Sequence, residues 1–156
     1  MTTAQKTFVA GDTLTAADMN TYARGGQEMG YASITATSSN FTTVADITSL
    51  TATWTAISTR VYELEFVGCV ASSVAGDEVN MTITDSSNTV VGGTLSDLSA
   101  TAGRRTPCNV KVRLTGLSGS VTYKVRGTRN AGTGNCSVFA SATQPATFQV
   151  LDVGAN

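Results

Sequence analysis

The chain has no histidine. That removes the commonest general base at neutral pH, every Ser-His-Asp arrangement, and the nitrogen ligand of most zinc sites. Cysteine is scarce. Cys69, Cys108 and Cys136 are odd in number and form no CxxC spacing, so a disulfide framework is not expected. They are read as small, buried or half-buried apolar side chains. Charged residues make up 13 % of the chain, about half the usual ~25 %. A net charge of −1 offers no clustered Lys and Arg for a phosphate backbone, so no nucleic-acid partner is expected. No apolar run approaches the length of a membrane span. The first residues, MTTAQKTFVAGD, lack the basic start and apolar stretch of a secretory signal, so no membrane is expected and assembly is placed in the cytoplasm.

Carboxylates give no catalytic constellation either. Glu63 and Glu65 lie two apart on one strand and share its outer face. Asp77-Glu78 falls in a turn. Asp85-Ser86-Ser87-Asn88 has a single carboxylate and reads as an Asx-type turn rather than a calcium loop. Gly25-Gly26 and Gly92-Gly93 belong to no phosphate-loop motif. Arg104-Arg105 reads as a solvated loop tip. No catalytic residue, metal site or cofactor is assigned, and the chain is not expected to be an enzyme.

What the chain has instead is hydroxyl. Roughly a quarter of its 156 residues are Thr or Ser, where an average surface leans on Lys and Glu. Threonine is β-branched and suits a pleated, half-wet face. From Tyr31 onward apolar and polar residues alternate. Leu50, Ala52, Trp54 and Ala56 alternate with threonines. Tyr62, Leu64, Phe66 and Val70 share one face of the longest strand, opposite Glu63 and Glu65. Val79, Met81 and Ile83 continue the pattern, as do Val110, Val112 and Leu114, then Val121, Tyr123 and Val125. Cys136–Ala140 and Thr147–Val153 supply the last strands. Short strands with turns every 8–12 residues and no βαβ alternation predict a mainly β chain. The expected fold is an antiparallel β-sandwich, jelly-roll or immunoglobulin-like.

The first thirty residues differ. Thr15-Ala16-Ala17-Asp18 reads as a capping box, with Thr13 as the rival cap; if Thr15 caps, Leu14 and Met19 form a hydrophobic staple. Met19, Tyr22 and Ala23 fall at helical spacing, and Gly25 closes the segment. A helix of about ten residues is marginal alone. Residues 1–30 are therefore read as a docking or oligomerisation segment, with Phe8, Leu14, Met19 and Tyr22 as its buried contacts. Residues 31–156 form the sandwich domain, with the boundary near Gly30.

One charge pattern stands out. Lys111 and Arg113, then Lys124 and Arg126, occupy the outer faces of two strands joined by the turn Gly116–Gly119, read as a hairpin. Like charges opposite one another are unfavourable. The basic rows are expected to find Glu63 and Glu65, in the same sheet or in another subunit. Exposed pairs of this kind contribute at most ~1 kcal/mol each.

The run Lys6-Thr7-Phe8-Val9-Ala10-Gly11-Asp12-Thr13-Leu14-Thr15-Ala16-Ala17-Asp18-Met19-Asn20-Thr21-Tyr22 resembles the N-terminal module of small virion proteins of tailed bacteriophages. The closing Ala142-Thr143-Gln144-Pro145-Ala146-Thr147-Phe148-Gln149-Val150-Leu151-Asp152-Val153-Gly154 is similar to the end of the same proteins. Arg60-Val61-Tyr62 and Val74-Ala75-Gly76-Asp77 also fit. The resemblance implies a structural protein on the phage particle, of minor tail, fibre-like, capsid-decoration or head-fibre type. It implies other virion proteins of capsid or tail as partners, a homotrimer, and docking through the N-terminus. The chain has no coiled-coil, collagen-like or β-helical shaft, so the expected shape is a compact knob near the particle surface. The alternative function is a carbohydrate-binding module, recognising a host-surface glycan through Tyr31, Tyr123 or Phe139, since Trp54 lies on an apolar face.

Overall fold

The computed structural model describes Thr13, residues 26–98 and residues 101–156. The predicted helix and the docking contacts Phe8, Leu14, Met19 and Tyr22 lie outside the described residues. The described chain forms nine strands: β1 (Gln27–Ile34), β2 (Ala45–Ala56), β3 (Arg60–Ser72), β4 (Glu78–Asp85), β5 (Val90–Asp97), β6 (Thr106–Leu114), β7 (Gly119–Ala131), β8 (Cys136–Phe139) and β9 (Ala146–Ala155). The first strand begins at Gln27, ahead of Gly30, and pairs with β9 along its length.

The strands form two antiparallel sheets. The first has the order β1-β9-β3-β6, with the short β8 continuing the β9 side of β3. The second has the order β2-β7-β4-β5. Among the described strands, only β4 and β5 are both consecutive and adjacent. Other connections cross between sheets or over strands, as a jelly roll requires. This order selects the jelly roll over the immunoglobulin-like alternative.

Period-two alternation explains the core. Leu50, Ala52, Trp54 and Ala56 are buried while the threonines between them are exposed. Tyr62, Leu64, Phe66 and Val70 from β3 meet Val79, Met81 and Ile83 from β4, and Phe148 and Val150 from β9, in one apolar cluster. Trp54 sits between Tyr62 and Tyr123, with ring centroids 5.6 and 5.5 Å away. Fully burying side chains of this size contributes about 1.5–3 kcal/mol each.

One expectation is corrected. Strands β6 and β7 do not form a hairpin. β6 pairs with β3 in the first sheet, and β7 with β2 and β4 in the second. Gly116 and Gly119, both at φ 72°, carry the chain from one sheet to the other. Alternation establishes that each strand has one buried face, but not which sheet receives it. A hairpin would also have set two basic rows against each other. The crossover gives each row its own acidic partner.

Candidate functional site

The two ends of the sandwich are built differently. At one end the N-terminal segment joins the body. The Gly26 N–H donates to the Asp152 carbonyl at 2.7 Å, just before β1 begins. The Asn156 N–H donates to the Thr59 carbonyl at 2.8 Å, so the C-terminus lies at the same end. Asp152 continues the inward positions of Phe148 and Val150 and is 1 % exposed. A carboxylate turned into a core must be paired. Arg60 at the start of β3, 4 % exposed, does this. Its Nε donates to Oδ1 and Oδ2 at 3.0 and 2.8 Å, and Nη2 lies 2.8 Å from Oδ1. The Gly154 N–H adds a further bond to Oδ1 at 3.1 Å.

At the opposite end Asp77, 1 % exposed, holds the loops together. Its carboxylate accepts the Ser72 hydroxyl, the Thr133 N–H at 3.0 Å and the Gly134 N–H at 2.9 Å. Its carbonyl accepts the Leu98 N–H at 2.8 Å. Three loops thus converge on one residue. Gly132, at φ 97°, packs so closely that any side chain there would strike the Asp77 carboxylate. The Ser72 hydrogen bond, then the two backbone donors and the nearby Arg129, hold the Asp77 carboxyl below the ordinary carboxylate range against the opposing effect of burial.

Between the ends, the outer face of the first sheet carries the predicted charge residues. Glu63 is 6 % exposed although it points outward, because Lys111 and Arg113 fold over it at 2.7 and 2.8 Å. The Lys111 bond first, then that of Arg113, pulls the Glu63 carboxyl down, and Glu63 in turn raises the Lys111 ammonium. Glu65 takes amides: Asn109 donates at 3.1 Å and Gln149 at 2.9 Å. Lys124 and Arg126 lie on the other sheet and pair with Asp46 of β2 at 2.7 and 2.8 Å. Asp46 is lowered chiefly by its bond from Lys124. The structure therefore joins Glu63 with Lys111 and Arg113, separates Lys124 and Arg126 from both glutamates, and gives them Asp46.

The sequence did not single out Asp152, Arg60 or Asp46 as ionic partners, and placed Asp77 in an ordinary turn. Parity along β9 marks Asp152 as inward; Asp77 carries no such mark, and its carboxylate's backbone donors, Thr133 and Gly134, lie over fifty residues away. Of the aromatic candidates, Trp54 and Tyr123 are buried. Phe139 lies under the Arg105 guanidinium, 3.4 Å from the ring centroid. Tyr31 is 52 % exposed and pairs in register with Gln149. A shallow cleft of ≈ 240 Å³ is lined by Val67, Gly68, Cys69, Pro107, Gln144 and Pro145. The thiols of Cys69, Cys108 and Cys136 are free, and burial pushes the Cys108 and Cys136 thiols up.

No family model matches the chain, and no curated protein does. Among solved structures, the chain is similar to the globular domain of zebrafish complement 1qA at 14 % identity and TM-score 0.47, covering 83 % of this chain and 100 % of that one. It is also similar to a carbohydrate-binding module of Cellvibrio mixtus lichenase 5A in complex with cellotriose, at 14 % identity and TM-score 0.38, covering 85 % and 94 %. A third likeness is to VP2 of infectious bursal disease virus in a subviral particle, at 14 % identity and TM-score 0.41, covering 81 % and 38 %. Likenesses this remote carry no function across; the strand order itself defines the architecture here.

Proposed function

We propose that the chain is a non-enzymatic structural component of a tailed-phage virion, docked on capsid or tail through the N-terminal segment ahead of β1 and presenting its jelly roll outward. The observation that carries this reading is the polarity of the sandwich. The N-terminal segment joins through the edge strand β1 at the Arg60–Asp152 end. The opposite end holds the loops that Asp77 pins. A body attached at one end and stiffened at the other suits a displayed knob. The leader motif and the closing motif that resemble phage virion proteins support the same reading. The test is deletion of residues 2–25, which stops short of Gly26 and its bond to Asp152. The shortened chain is expected to fold with an unchanged β-sheet spectrum and to be missing from purified particles. Normal incorporation would defeat the proposal.

A second reading is a glycan-binding module. Tyr31 favours it, as an exposed ring beside the Gln149–Glu65–Asn109 row of hydrogen-bonding groups. One ring is a small platform for stacking a sugar. A glycan array comparing the full chain with Tyr31→Ala separates the two readings: binding that the substitution abolishes supports recognition of sugars, and a blank array removes it.

A further inference from the structure

Most basic side chains of the described residues have a partner inside the molecule. Arg60 is paired with Asp152, Lys111 and Arg113 with Glu63, and Lys124 and Arg126 with Asp46. Arg129 donates to the Gly134 carbonyl at 2.6 Å and lies near Asp77. Arg104 and Arg105 differ. They are adjacent in the exposed loop before β6, and among the described residues neither forms an ion pair. Arg105 is also more ordered than the solvated loop tip that the sequence suggests. Its guanidinium lies over the Phe139 ring of β8, 3.4 Å from the centroid.

That contact sets the charge beside the shallow cleft on the first sheet. Phe139 of β8 and Pro107 of β6 are both register partners of Cys69, one on each side of β3. Arg105 leaves the chain two residues before Pro107 and ends over Phe139, so its side chain passes across β3 next to Cys69. Cys69 lines the ≈ 240 Å³ cleft together with Val67, Pro107, Gln144 and Pro145. Gln144 donates its amide to Cys69 Sγ at 3.4 Å, which holds it at the cleft. Pockets for drug-sized molecules run to about 300–1,000 Å³, so this one suits a single ring. Stacking uses the flat face of a guanidinium and leaves its in-plane N–H donors for an anion.

We propose that this cleft binds a carboxylated sugar, one ring of an acidic glycan, with Arg105 receiving the carboxylate. Charge complementarity selects an anion, because the two arginines at the rim are the ones left without an acid. The planar fork of Arg105 matches the two oxygens of a carboxylate. Val67, Pro107 and Pro145 offer apolar contact to the C–H face of a pyranose, and the Gln144 amide offers a hydrogen bond to a hydroxyl. An acidic peptide fits less well: Pro107 has no N–H, so the strand beside the cleft cannot complete a ladder with an extended chain. The site lies further along β3 than the row Tyr31–Gln149–Glu65. It rests on the glycan reading only for the class of ligand, and it is independent of where the leader docks.

The test is an array of uronic-acid, sialic-acid and pyruvylated glycans, each beside its neutral parent and a phosphorylated counterpart. It is probed with the full chain and with Arg105→Ala, Arg105→Lys, Gln144→Ala and Tyr31→Ala. A carboxylated glycan is expected to bind roughly tenfold or more tighter than its neutral and phosphorylated counterparts. Arg105→Ala is expected to remove that advantage, and Arg105→Lys to recover little of it, because an ammonium has no planar fork. Gln144→Ala is expected to weaken binding, and Tyr31→Ala to leave it unchanged. Arg105 and Gln144 are exposed, so these variants are expected to keep the thermal midpoint of the parent chain. A blank at every carboxylated glycan would overturn the proposal, as would equal binding of the neutral or phosphorylated forms, or binding that Arg105→Ala retains. Binding lost with Tyr31→Ala but kept with Arg105→Ala would place the sugar at Tyr31, leaving the glycan reading without this site. The comparison of glycans on the unaltered chain decides the matter even where a variant fails to fold.

Discussion

Two buried acids separate the residues that hold this molecule together from those that decorate it. Asp152 is bound by Arg60 deep in the sandwich, and breaking a buried pair costs about 3–5 kcal/mol. Asp152→Asn is therefore expected to lower the unfolding free energy by that amount, read by urea denaturation. Lys124→Ala, at a pair whose Asp46 side chain is half exposed, is expected to cost less than about 1 kcal/mol. Asp77 makes the fold acid-sensitive. Its carboxyl titrates below its unfolded value, so its stabilisation is complete above the ordinary carboxylate range, near pH 4, and is lost as pH falls through the lowered value. Glu63 and Asp46 act in the same direction. Asp77→Asn is expected to flatten the fall of the thermal midpoint between neutral pH and about pH 3. An unchanged slope would show that the clamp does not act through its charge. Gly132→Ala tests the clamp sterically: a methyl group there meets the Asp77 carboxylate, and a lowered midpoint at all pH values is expected.

At the level of strands, the buried faces of β2, β3, β4, β6 and β7 were legible because polar residues fill the alternate positions. Phe148→Ala, near the start of β9 and fully buried, is expected to cost about 3–5 kcal/mol by the same urea measurement. The partner of each strand was not legible. The turn Gly116–Gly119 has the composition of a hairpin, yet it spans two sheets. Period two fixes a strand's inward face and says nothing about which neighbour sits beside it, which depends on contacts far apart in sequence. The charge pairs show the same division. The outward positions of Glu63, Lys111 and Arg113 followed from parity on β3 and β6, but their pairing rests on β6 lying beside β3. Asp46 could not be matched to Lys124 and Arg126 until β2 was known to lie beside β7. Asp152 was open to a parity argument along Phe148, Val150 and Asp152. Asp77 was not, since it acts from a loop on backbone N–H groups of another loop, and such donors leave no mark in a sequence.

Taken whole, the described residues form a jelly roll with Gly26 and Asn156 at one end and a buried, fully hydrogen-bonded carboxylate near either end. The hydroxyl-rich surface has little charge to titrate or screen, so association by the leader is expected to vary little with ionic strength. The most direct test is electron cryomicroscopy of intact particles that carry the chain. The account predicts jelly-roll density standing clear of the particle, with residues 1–25 running from Gly26 into contact with capsid or tail protein. Density in which the sheets or the Asp77 end make the contact, while the leader faces solvent, would contradict it.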